Sequence, residues 1–207
     1  MDVTSRRARA LATLAFLLLV VAVGTTCSKS PDHKTTVADM IAAHNRHDVA
    51  GQLAFFTEDA FFVIADEIPV TGRPALRDMF GADSVMNSEL LYEGLVVRGD
   101  TVIVNSVIER NELLRLLDVP EMHYLPGTRV LFQDGMMRGI QTARLDQRDW
   151  RTMRDNFAAL MNWLRTTHPE LLNEIESGRL SGNNATAASG WLELAAEWRN
   201  SQAGRRH

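Results

Sequence analysis

The chain has 207 residues, of which 45% are hydrophobic and 23% charged, enough to bury a core and without low-complexity tracts. Its formal charge is −4 and its basic residues do not gather into a patch, which argues against nucleic acid as a partner and against a polybasic membrane surface. The first structured signal is at the N-terminus. Arg6, Arg7 and Arg9 precede an apolar and small-residue run from Leu11 to Val23, broken only by Thr13. That run is shorter than the roughly 20 residues needed to span a bilayer, and its order of basic, apolar and small residues predicts an export signal over residues 1–26. Without the leader, three arginines and one aspartate are lost and the charge moves from −4 to −6.

Two processing sites compete. Ala22-Val23-Gly24 offers small residues for a cleavage that leaves a soluble protein starting near Thr25. The preferred reading is lipidation of Cys27, the only cysteine, followed by a tether over residues 27–34. An unpaired thiol in an oxidising compartment is otherwise a liability. The surrounding residues resemble a bacterial lipobox, departing from it at Gly24 and Thr26. The chain is therefore expected to be a membrane-anchored envelope lipoprotein, or a periplasmic or secreted protein if Cys27 is unmodified.

Thr35 to His47 carries Val37, Met40, Ile41 and His44 at helical spacing, and Asp48 is placed to cap a second short helix. Residues 59–64 turn to strand composition, with residues 68–71 available to pair back on them. Gly72-Arg73-Pro74 opens a third helix with Leu76, Met79 and Phe80 on one face. Residues 89–98 and 101–109 read as strands about Gly99-Asp100, residues 111–119 as a helical insertion or a continued strand, and residues 128–133 and 136–145 as a hairpin about Asp134-Gly135. Beyond Asp149 come an apolar stripe including Trp150, Phe157 and Leu164, a second helix over residues 169–176, a small-residue linker at 181–189, and a last helix with Trp191 and Trp198.

His47-Asp48, Phe55-Phe56-Thr57-Glu58-Asp59-Ala60 and Thr71-Gly72-Arg73-Pro74-Ala75-Leu76 stand in an order that resembles the nuclear transport factor 2-like superfamily, with its ketosteroid isomerases and SnoaL-like cyclases. The resemblance implies an α+β cone over residues 35–146, a curved antiparallel sheet wrapped around N-terminal helices, followed by a helical extension over 147–207. It also implies a pocket in the cone for an apolar small molecule, lined by Met40, Phe56, Phe62, Ile64 and Asn105, and a sheet face through which two copies can dimerise. Isomerases of this kind need a carboxylate base on the first strand and a phenol on the first helix. Counted from Asp59-Ala60, those positions fall on Ile64 and Met40, which cannot serve, unless a two-residue slip brings in Asp66.

The leading expectation is accordingly a non-enzymatic binding or interaction module of the cell envelope. The alternative is an isomerase, cyclase or hydratase using Glu109, Asp66 or the pair His123-Tyr124. Each candidate has a plainer role: Glu109 as a salt-bridged edge residue, His123-Tyr124 as an exposed loop, Asn105 as a solvent-facing residue, Asp59 as a turn or cap. His44 and His47, three apart with no further ligand near, predict no metal site and a surface role. No cofactor motif is present in the sequence.

Overall fold

The computed structural model describes residues 32–64 and 69–203. The expected export signal, Cys27 with most of its tether, and Asp66 lie outside them. Helix α1 (His33–Asn45) is capped by the Asp32 carboxylate, and buries Val37, Met40, Ile41 and His44 on one stripe. Asp48 caps α2 (Val49–Leu53) by accepting the Gly51 N–H at 2.8 Å. A Cβ at Gly51 would stand 2.1 Å from that carboxylate, so the glycine is what lets the cap close.

Strand β1 (Phe56–Val63) pairs antiparallel with β2 (Val70–Thr71), after which Gly72, at φ 88°, turns the chain into α3 (Arg73–Val85). Then follow β3 (Glu89–Glu93), β4 (Val96–Arg98), β5 (Thr101–Val104), β6 (Ser106–Arg110), the short helix α4 (Glu112–Leu116), β7 (Met122–Tyr124), β8 (Thr128–Gln133) and β9 (Met136–Gln141). Asp134 and Gly135, both at positive φ, make the tight β8–β9 turn.

Six strands form a sheet in the order β2-β1-β9-β8-β5-β4, antiparallel except that β1 runs parallel to β9. A second sheet has the order β3-β6-β7. The run from β5 to β6 passes from one sheet to the other through a bend at Asn105, whose N–H donates to the Glu93 carbonyl at 3.1 Å. The α+β class read from the sequence is thus the observed one: a curved, largely antiparallel sheet system against helices, with further helices at the C-terminal end. The main core joins α1, α2 and α3 to both sheets through residues such as Phe56, Leu76, Val104 and Ile140.

The C-terminal helices are α5 (Gln147–Thr167), a 3₁₀ turn (Pro169–Leu171), α6 (Leu172–Glu176) and α7 (Ala185–Ala203). Helix α7 starts inside the stretch expected to be a linker, because Asn184 caps it through the Ala187 N–H. Its apolar face, with Leu194, Ala195 and Trp198, meets Leu160, Trp163 and Leu164 of α5 and Leu116 and Leu117 at α4. Helix α7 also packs on α3. Arg199 forms an ion pair with both oxygens of Asp118, and Asn156 donates to the Leu117 carbonyl at 2.6 Å. Among the described residues, no helix is long and apolar enough to cross a membrane.

Candidate active site

A cavity of about 200 Å³ lies between α1, α3 and the inner faces of the two sheets. Its apolar wall includes Met40 from α1, Phe62 and Ile64 at the end of β1, Met79 and Phe80 from α3, and Ile140 from β9. Its polar groups are His44, Gln52, Asp83, Tyr92, Glu109, Asn111, Tyr124, Thr142 and Asn183. Neither lysine nor arginine stands among the described residues of its wall.

Strand alternation puts Val107 and Glu109 of β6 on the cavity side, and β7 presents Tyr124 opposite them. The Tyr124 hydroxyl donates to Glu109 Oε2 at 2.8 Å, and Asn111 Nδ2 donates to Oε1 at 2.9 Å. Asn111 does this while its own oxygen caps α4 through the Leu114 N–H at 2.8 Å. The insertion that starts α4 therefore also orients the carboxylate. Burial and the charge of Glu109 both push the Tyr124 hydroxyl well above the usual phenol range, and Tyr92 is shifted upward by the same two causes.

Asp83 completes the group from α3. It continues the stripe of Leu76, Met79 and Phe80 one helical turn further, so the helix delivers a carboxyl where its spacing calls for an apolar side chain. By surface area it is only half-buried, yet protein surrounds it on nearly every side, since it lines a cavity rather than the open surface. Loss of solvation, and secondarily the negative charge of Glu109, raise its pKa to about 8. His44 moves the other way: burial lowers it to about 4, against the hydrogen bonding of Gln52, whose Nε2 is 3.2 Å from His44 Nδ1. At neutral pH the cavity therefore holds a protonated Asp83 carboxyl and an uncharged imidazole, with the Glu109 side chain beside them.

Of the residues named from the sequence, Met40, Phe62, Ile64, Glu109 and Tyr124 are brought together here. Phe56 is not. It is fully buried near the start of β1, its ring 5.6 Å from Phe80, about 20 Å of strand away from Phe62. Asn105 is exposed at the bend between the sheets, its side chain beside Gly94. His123 and Tyr124 are neighbours on a strand rather than in a loop, so their side chains point to opposite faces. His123 is half-exposed, with Nδ1 at 2.7 Å from Asp149. His44, expected at the surface, is buried, and Asp59, expected to cap or turn, is an exposed β1 residue 3.6 Å from Arg138. Asp83 and Tyr92 were not named from the sequence, although the stripe of α3 and the alternation of Leu90 with Tyr92 carry the signal. Among the described residues no three of His, Cys, Asp and Glu gather as a metal site.

No protein-family model and no curated protein matches the chain. Solved structures similar to it include the epoxide hydrolase/cyclase-like enzyme SalBIII of pyran ring formation in the polyether salinomycin, at 18% identity over 56% of this chain and 92% of that one, with a TM-score of 0.49. An NTF2-like protein of unknown function from Cytophaga hutchinsonii is similar at 10% identity, over 60% of this chain and 98% of that one, with a TM-score of 0.47. A third, an NTF2-like protein from Burkholderia xenovorans, is 22% identical over 57% of this chain and 93% of its own, with a TM-score of 0.44.

Proposed function

We propose that the protein is an exported small-molecule enzyme of the NTF2-like superfamily, in which Asp83 and Glu109 exchange protons with a bound molecule. The observation that carries this is their convergence on one small cavity, with the Asp83 pKa raised to about 8 and Glu109 held by Tyr124 and Asn111. A carboxyl raised to about 8 stays protonated at neutral pH and can serve as the acid to a second carboxyl group in the same cavity. The neutral Asp83 can give a proton to an oxygen that gains charge. Glu109, fixed by two donors, can take a proton or align a nucleophile. Isomerisation, cyclisation and hydration are the reaction classes that need no more than this. The cavity is smaller than the roughly 300–1,000 Å³ of sites for drug-sized ligands, so its substrate is correspondingly small.

Ile64 and Met40, where isomerases of the resembled type keep their base and phenol, favour a second reading: the same pocket carries a ligand without altering it. Carbon-13 titration of the aspartate carboxyls, paired with a turnover assay on small epoxides and enolisable ketones in deuterated water, separates the two. The enzyme reading expects one carboxyl titrating near 8, lost in Asp83→Asn, and turnover or proton exchange at least about 100-fold faster than in that variant. Binding without exchange or turnover would leave the carrier reading, and a normally titrating Asp83 would remove the basis of the enzyme one.

A further inference from the structure

The geometry points to a small organic cation, an amine or quaternary ammonium, as the molecule this cavity takes. The inference rests on the acid–base reading of the same cavity and narrows its substrate class. Its first ground is charge. Two carboxyl groups face the enclosed space, no lysine or arginine stands among the described residues of its wall, and His44 is uncharged. Glu109 has one donor on each oxygen, both neutral, so its charge is solvated but not neutralised. A ligand with neither a positive charge nor a proton to donate would displace water from that charge and return nothing. A cation would satisfy it.

The second ground is the wall itself. Phe62, Phe80, Tyr92 and Tyr124 come from four different elements, and Met79 and Met86 add polarisable sulfur between them. Aromatic faces around a carboxylate are the surroundings in which alkylammonium groups are held, the rings attracting the charge and the apolar surface accepting the methyl groups. The volume of about 200 Å³ suits a compact cation rather than a polyamine.

The third ground is the state of Asp83. It faces Glu109 of β6, Tyr92 of β3, Tyr124 of β7 and His44 of α1, none of which bears a positive charge at neutral pH. It therefore keeps a proton that an arriving cation would make it hold less tightly, which leaves Asp83 the acid of the pair and a stronger donor toward an oxygen of the bound molecule. Binding should then strengthen with pH until Asp83 is already ionised.

Calorimetric titration of the purified protein with choline, and with dimethylbutanol, its uncharged carbon isostere, tests this. Choline should bind at least about tenfold more tightly than the alcohol. Its affinity should rise by up to about tenfold per pH unit below pH 8 and level off above, a dependence lost in Asp83→Asn. Equal binding of the two, or binding of neither, overturns the proposal. The carbon-13 titration separates that failure from failure of the parent reading. A carboxyl titrating near 8 but unmoved by choline removes the cation and keeps the acid–base pair, whereas no such carboxyl removes the pair itself.

Discussion

Asp83 and His44 line one cavity but pull the pH dependence of stability in opposite directions. Between about pH 4 and pH 8 the folded chain keeps a proton on Asp83 that the unfolded chain has lost, so this group's contribution falls as pH rises across that window. For His44, lowered to about 4, the unfolded chain binds the extra proton between pH 4 and pH 6.5, so its contribution grows with pH and is lost as pH falls. The two slopes oppose each other below pH 6.5, and Asp83 acts without that offset from there to about 8. Asp83→Asn keeps the shape of the neutral acid and removes the ionisation. The variant should gain on the wild type by roughly 1–3 kcal/mol between about pH 5 and pH 9, a figure discounted because the cavity leaves Asp83 partly accessible. Urea unfolding at the two pH values measures the difference. A gap that does not change with pH would mean that Asp83 ionises normally.

At the scale of elements, local chemistry was the most readable part of the sequence. Asp48 before α2, Gly72-Arg73-Pro74 before α3 and Asp134-Gly135 between β8 and β9 each act within a few residues, and each does what its chemistry demands. The parallel pairing of β1 with β9 joins Phe62 to Ile140, and no local pattern announces a partner that far along the chain. The site divides the same way. Glu109 and Tyr124 were visible as candidates on their own strands, but Asp83 acquires its character only when the fold brings α3 to the same cavity as β3 and β6. Its place in the stripe of Leu76, Met79 and Phe80 was readable; the shift in its acidity was not. The same limit applies where α7 crosses the chain before it. Gly190 leaves room for Leu180, whose Cδ2 is 2.2 Å from where a Cβ would stand, and the Leu180 carbonyl accepts from Trp191 Nε1 at 3.1 Å. Leu180 is fully buried, so moving its Cδ2 aside disturbs packed neighbours, and Gly190→Ala should cost about 1–3 kcal/mol by overpacking despite the better helix propensity of alanine. Thermal unfolding compared with Ala196→Gly, a change on the same helix with no such neighbour to displace, tells overpacking from propensity. If Gly190→Ala stabilises, Leu180 is free to yield.

For the whole molecule, the question is where such a pocket works, and that rests on residues before the described part. Arg6, Arg7 and Arg9, the apolar run after them and Cys27 together support export followed by lipid attachment, which would hold the folded chain at a membrane surface by its N-terminal end. On that reading, Asp32, the N-cap residue of α1, stands five residues after Cys27 in the sequence. A lipid on Cys27 would keep the domain close to the bilayer, where a mildly acidic protein gains little from anionic headgroups and depends on the acyl chains for retention. Expression in a bacterial host with and without Cys27→Ser, followed by fractionation and intact mass, tests this. Lipidation expects a mass raised by acyl chains and recovery with membranes, both lost in the variant, while the carboxyl titration of Asp83 is unchanged because the substitution lies outside the cavity. A wild-type chain starting near Thr25 without added mass would instead make this a freely diffusing exported protein, and the pocket would then draw its small molecule from solution rather than from the membrane surface.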